Sequence, residues 1–82
     1  MSSGLKQDIS IGENLKILRK RAHLTQEQVS AKLEILGFHP MSSDILAKME
    51  QGRYSVKISV LLALKQIYKV DSFDEFFEGL SF

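Results

Sequence analysis

His23 and His39 are the only histidines of this 82-residue chain, and they stand sixteen residues apart with no ligand-spaced partner. A zinc site or an acid–base pair needs donors spaced so that they converge, so both read as loop histidines. Cysteine is absent, which removes a thiol nucleophile and any disulfide framework and fits a reducing compartment. Asp74, Glu75 and Glu78 lie close together, but on a capped helix they read as a solvated acidic face rather than a metal cluster. Gly37 and Gly52 are isolated and do not form a phosphate-cradling loop. The expectation is a protein that is no enzyme and uses neither metal nor cofactor. The chemistry that remains is recognition through hydrogen bonds. It concentrates in residues 24–52, where two short helices follow each other and the second opens on the small and polar residues Ser42, Ser43 and Asp44. Two short helices joined by a turn are the smallest device that can read a DNA groove.

The elements that would position these groups follow from apolar periodicity and helix punctuation. Ser10 with Glu13 reads as a capping box, and Ile11, Leu15, Leu18 and Ala22 follow at helical spacing. Lys16, Arg19, Lys20 and Arg21 crowd the last turns, where cations suit the helix dipole. This predicts a first helix over 11–22. Thr25 with Gln28 opens a second helix over 26–36, with Val29, Leu33 and Leu36 as its buried stripe, Gly37 as its stop and Pro40 against re-entry. Ser42 caps a third helix over 42–51, with Leu46 and Met49 facing the core and Gly52 ending it. Ile58, Leu61, Leu64 and Tyr68 define a fourth. Ser72 with Glu75 opens a short fifth helix carrying Phe73, Phe76, Phe77 and Leu80. Residues 1–9 show no periodicity and read as a flexible lead-in to one domain over 10–82.

Composition is that of an ordinary globular domain: 44% hydrophobic, 26% charged, net charge +1. Residues 11–70 hold ten Lys or Arg against five Asp or Glu, whereas residues 71–82 hold four acids and no base. The basic body permits phosphate binding without demonstrating it. The longest apolar run, residues 60–64, is far too short to span a bilayer, and the first ten residues lack the basic start and apolar middle of a secretory signal.

Ile11-Gly12-Glu13, Leu18-Arg19-Lys20, Leu24-Thr25-Gln26-Glu27-Gln28-Val29, Leu33, Ser42, Met49-Glu50-Gln51-Gly52 and residues 58–70 together resemble the Cro/C1-type helix-turn-helix repressors, also called the xenobiotic-response-element family. The resemblance covers about residues 11–70, and the segment from Ser72 to Leu80 fits the usual fifth helix more loosely. It implies an all-α, compact five-helix bundle of the lambda-repressor-like type. The helix after Ser42 would then be the recognition helix, placing Ser43, Asp44, Ala47 and Lys48 toward base edges. Lys48 could donate to guanine, Ser43 could donate or accept, and Ala47 could touch a thymine methyl. Asp44 could accept from a cytosine amino group or serve only as favourable charge at a helix start. Gln26, Ser42, Arg53, Tyr54 and Lys57 would meet phosphates, Gln26 otherwise being an exposed polar residue and Tyr54 a packing residue over the loop. Arg19 and Glu50 stand where the family pairs the first helix with the end of the recognition helix, which predicts a partly buried, two-bonded ion pair.

The chain departs from the family in three places. The turn between the second and third helices is longer by about six residues than the usual tight turn, with Phe38 and Met41 expected to hold the loop against the core. Ser30 stands where the family favours alanine, and Lys65 where it favours a small apolar residue. The function implied is a cytoplasmic transcriptional regulator, a repressor of bacterial or phage type, binding double-stranded DNA as a homodimer through an inverted repeat. The phenylalanine stripe of the fifth helix, with Leu80 and Phe82, either forms the dimer surface or closes the core. The alternative is a protein-interaction module on the same fold, an antitoxin or antirepressor, which Asp44 and the acidic tail favour. Neither reading involves a membrane.

Overall fold

The computed structural model describes residues 10–80, so the expected lead-in over 1–9 and the part given to Phe82 lie outside the described residues. The chain order is α1 (Gly12–Arg21), α2 (Gln26–Ile35), α3 (Ser43–Glu50), α4 (Ile58–Ile67) and a 3-10 helix (Phe73–Phe77), with no strand among the described residues. The expected five-helix count therefore becomes four α-helices and one short 3-10 turn. The reason is local: Ser72 Oγ accepts from the Asp74 N–H rather than from the N–H three residues on, and Glu75 N–H donates to the Ser72 carbonyl. That i to i+3 winding is tighter than an α-helix and rarely continues far.

Every element sends at least one wholly buried side chain to a common centre: Leu15, Val29, Leu33, Leu46, Leu64 and Phe76. Each such burial removes an apolar side chain from water at about 1.5–3 kcal/mol, and together they fix α3 against α1 and α2. Two expected core residues are not there. Leu36 is 53% exposed and Ile58 79% exposed, because α2 turns away at Leu36 and α4 begins with its first residue beyond the edge of the core. Val60 and Ala63 take the α4 positions instead.

All four α-helices end in the same double hydrogen bond, in which the N–H after the left-handed residue reaches back five positions and that residue's own N–H reaches back three. Gly37 (φ +100°) and Gly52 (φ +77°) supply the left-handed residue for α2 and α3, and His23 and Lys69 do so for α1 and α4. At the end of α2 this turn directs Phe38 back against the core. Met41 follows as a buried residue, its N–H donating to Glu34 Oε2 at 3.4 Å. The lengthened connection is thus anchored at both ends, with a cis peptide between His39 and Pro40.

The helix starts divide. Thr25 and Gln28 form the full reciprocal box, and Ser42 Oγ accepts the Ile45 N–H. Ser10 does not cap α1 as expected. Ile11 holds the cap position without a side-chain bond, and Ser10 Oγ accepts from the Gly12 N–H two residues on. The cause is the close approach of α1 to the end of α3. A Cβ on Gly12 would meet the carbonyl oxygen of Glu50 and stand 2.7 Å from that of Met49. Gly12→Ala is accordingly expected to cost about 1–3 kcal/mol by overpacking against rigid backbone, read as a lowered urea midpoint with unchanged slope.

Candidate nucleic-acid interface

One buried ion pair ties α1, the start of α2 and the end of α3 together. Arg19 Nε donates to Glu50 Oε2 at 2.7 Å and Arg19 Nη2 to Glu50 Oε1 at 3.2 Å, with 10% and 3% of the two side chains exposed. A third guanidinium bond, Nη1 to the Leu24 carbonyl at 2.9 Å, ties the same arginine to the turn before α2. Gln26 completes the group, its Nε2 donating to Glu50 Oε1 at 3.0 Å. One carboxylate at the end of α3 thereby holds the body of α1 and the first residue of α2. The hydrogen bond to Glu50 comes first among the causes that raise the Arg19 pKa above its ordinary value, against the opposing effect of burial, so the guanidinium stays charged. Spacing alone did not reveal the Gln26 bond, since the helix periodicity of α2 says nothing about where α3 ends.

Tyr68 lies behind this pair. Its hydroxyl is buried and has no hydrogen-bond partner among the described residues. Burial first, and the Glu50 charge second, push the phenol far above its usual pKa, so it stays neutral. A buried hydroxyl without a partner costs about 1–3 kcal/mol. Tyr68→Phe is expected to leave thermal stability unchanged or raise it; a lower melting temperature would mean that the hydroxyl has a partner.

The exposed side of α3 carries the four residues expected at base edges. Asp44 is exposed, while Ser43, Ala47 and Lys48 are half-buried. Lys48 is not a free donor. Its Nζ lies 3.0 Å from Asp44 Oδ2 and 5.3 Å from the centre of the Tyr54 ring. The Asp44 hydrogen bond is the largest cause raising the lysine pKa. Ser42 keeps an O–H to donate while its oxygen accepts from Ile45. Arg53, Tyr54 and Lys57 are exposed on the link to α4. A shallow hollow of about 320 Å³ opens beside the junction of α1, the start of α2 and α3, with Gln26, Ala47 and Glu50 in its wall. Of these candidates Gln26 and Ala47 share that hollow and Lys48 meets Tyr54, while Arg53, Tyr54 and Lys57 line a separate groove with Ile45 and Met49 of α3.

Two further contacts account for the departures at Ser30 and Lys65, and a third docks the C-terminal segment. Ser30 is buried and its Oγ donates to the Glu27 carbonyl at 3.0 Å, so the hydroxyl is satisfied within α2. Lys65 Nζ stands 5.6 Å from the centre of the Phe73 ring, a cation–π placement. Asn14 Nδ2 donates to the carbonyls of Phe76 and Glu78 at 2.9 and 3.0 Å, docking the 3-10 helix on α1. Asn14 sits between core positions of α1, where no sequence pattern marks it out.

Among the described residues no group of three or more His, Cys, Asp or Glu is placed to hold a metal ion, and no helix is long and apolar enough to cross a membrane. Comparison with curated proteins and with solved structures returns no match. A family model described as a helix-turn-helix domain matches residues 10–75. The match spans most of the chain, from the start of α1 into the 3-10 helix. It joins the buried α1–α3 ion pair and the capped start of α2 in one conclusion: this chain belongs to the helix-turn-helix domain family, of the Cro/C1 DNA-binding type.

Proposed function

We propose that the chain is a sequence-specific DNA-binding transcriptional regulator acting in the cytoplasm as a repressor, and that it binds an inverted repeat as a homodimer. The carrying observation is the Arg19–Glu50–Gln26 group, which holds the end of α3 rigidly while the opposite, opening side of the helix stays accessible. In this reading α3 enters the major groove, with Ser43 and Ala47 at base edges and Lys48 exchanging its Asp44 partner for a guanine edge. Arg53, Tyr54, Lys57 and the Ser42 hydroxyl meet phosphates. Gln26 contributes through the free N–H groups at the start of α2, since its side-chain amide already serves Glu50. The exposed edge of the C-terminal segment, Phe73, Phe77 and Leu80, supplies the dimer contact.

Selection of bound sequences from a random duplex pool tests this, with a palindromic consensus as the expected result. Affinity for that consensus should fall with salt at a slope of about −0.9 per phosphate neutralised, and Arg53→Ala should reduce the slope by about one such unit. Absence of binding to mixed-sequence duplex even at low salt would defeat the proposal. One observation favours the second reading, a protein-interaction module of antitoxin or antirepressor kind. Asp44, with 74% of its side chain exposed, puts negative charge on the side that would face phosphates.

A further inference from the structure

The lengthened connection between α2 and α3 creates a surface as well as a link. Together with α3 and the start of α4 it encloses an open groove of about 430 Å³, with Phe38, Met41, Ile45 and Val60 along its apolar wall. Arg53 and Lys57 stand on its rim and no acidic side chain lines it. Both cations are exposed, and neither takes part in a salt bridge among the described residues.

The complementary surface belongs to the same chain. Of the aromatic residues around the 3-10 helix only Phe76 is buried, whereas Phe73, Phe77 and Leu80 are 38%, 48% and 37% exposed. Asp74 and Glu78 lie exposed among them, and among the described residues only Glu75 of the segment's acids is taken up by a salt bridge, with Arg21. Asn14 and the buried Phe76 ring keep this segment on its own core, so its outer edge is presented without unfolding anything. An apolar, acidic edge and an apolar, basic groove are matched in both hydrophobicity and charge.

We propose that the edge around residues 73–80 of one copy seats in the groove of a second copy, with Phe77 and Leu80 against the apolar wall and Asp74 and Glu78 against Arg53 and Lys57. The contact deepens the proposed function. Arg53, Tyr54 and Lys57 are also its phosphate-binding residues, so DNA and the second copy compete for them, and this assembly is the DNA-free form. In that form the C-terminal edge meets the groove; on DNA it is released for the contact between half-sites.

Sedimentation equilibrium of the full chain without DNA, between about 10 μM and about 1 mM, tests the contact over the range expected of a small interface. Concentration-dependent association that weakens with salt is expected. The double variant Arg53→Glu, Lys57→Glu should associate at least tenfold more weakly, and so should Asp74→Lys, Glu78→Lys. All four positions are exposed, and circular dichroism would verify that each variant is folded. Mixing the two variants pairs the unchanged edge of one with the unchanged groove of the other, and a basic edge with an acidic groove, so the mixture should recover association that neither variant has alone. A monomer throughout, variants that associate like the parent, or a mixture no tighter than its components would each overturn the proposal. Mixed-sequence duplex added to the parent chain should break the assembly. Duplex that fails to bind at all would instead sink the DNA-reading function, and the mixing experiment alone would then decide whether the contact exists.

Discussion

Glu50→Ala is expected to lower the unfolding free energy by about 3–5 kcal/mol, the cost of leaving a buried charge without its partner. The substitution strands two groups. Arg19 stays inside with only the Leu24 carbonyl as acceptor, and the Gln26 amide loses its acceptor as well. A domain of this size has a total stability of only about 4–12 kcal/mol, so the variant should melt far below the parent. Arg19→Ala should do similar damage, because it leaves the Glu50 carboxylate with only 3% of its side chain exposed and the Gln26 amide as its only side-chain donor. The two effects should not add. Replacing both residues by apolar ones of similar length, Arg19→Met with Glu50→Leu, should be less destabilising than either alanine variant, since no unpaired charge remains. Chemical denaturation of the parent and these three variants is the measurement. Stability unchanged in Glu50→Ala would mean that the pair is not structural, and a loss confined to DNA affinity would reassign it to the interface.

Phe76→Ala is the other large effect, at about 3–5 kcal/mol for a wholly buried phenylalanine. Phe76 has 0% exposure and is the largest of the fully buried side chains. The 3-10 helix around it is five residues long and has little stability of its own. It is held by that ring, by Asn14 and by Arg21, which bonds Glu75. Removing the ring should therefore release the segment from α1 before the rest of the domain unfolds, exposing Leu15 and its neighbours. Amide exchange should then show the 3-10 segment unprotected under conditions where α2 and α4 remain protected. Protection of the segment equal to that of α4 would refute this order. The Arg21 hydrogen bond is the largest cause holding the Glu75 carboxyl below its usual range. A folded-state pKa lowered in this way adds stability above the unfolded carboxylate value, and that stability is lost as pH falls through the folded value. Acid should thus loosen the same segment, in the same direction as Phe76→Ala, though modestly because the pair is largely exposed.

Much of the fold was legible along the chain because its signals are local. Thr25 with Gln28 specifies a helix start through bonds spanning three residues, and Gly37 and Gly52 specify stops through a single backbone angle. Apolar spacing identified Leu15, Leu18, Val29, Leu33, Leu46, Met49, Leu61 and Leu64 as core, since a helix that buries one face must repeat it. Failures came where the outcome depended on a neighbour far away in sequence. Ser10 lost its capping role because α1 starts against the carbonyls of α3. Leu36 and Ile58 continue their helical stripes but overrun the core. The fifth helix is the exception: its tightening into a 3-10 turn is local, through the Ser72 bond to the Asp74 N–H.

The same division holds for the recognition surface. By itself the sequence determined an all-α chain of the helix-turn-helix family, with polar side chains opening the third helix, because residue type, periodicity and motif order are properties of the chain. Only the tertiary structure decided that Glu50 serves Arg19 and Gln26 together, that Lys48 is already paired with Asp44, and that residues 38–41 wall an apolar groove with Arg53 and Lys57 on its rim. Each of these joins groups from different segments or different turns of a helix. Their distances are set by how the four α-helices and the 3-10 helix pack around a shared core, and no local spacing records that.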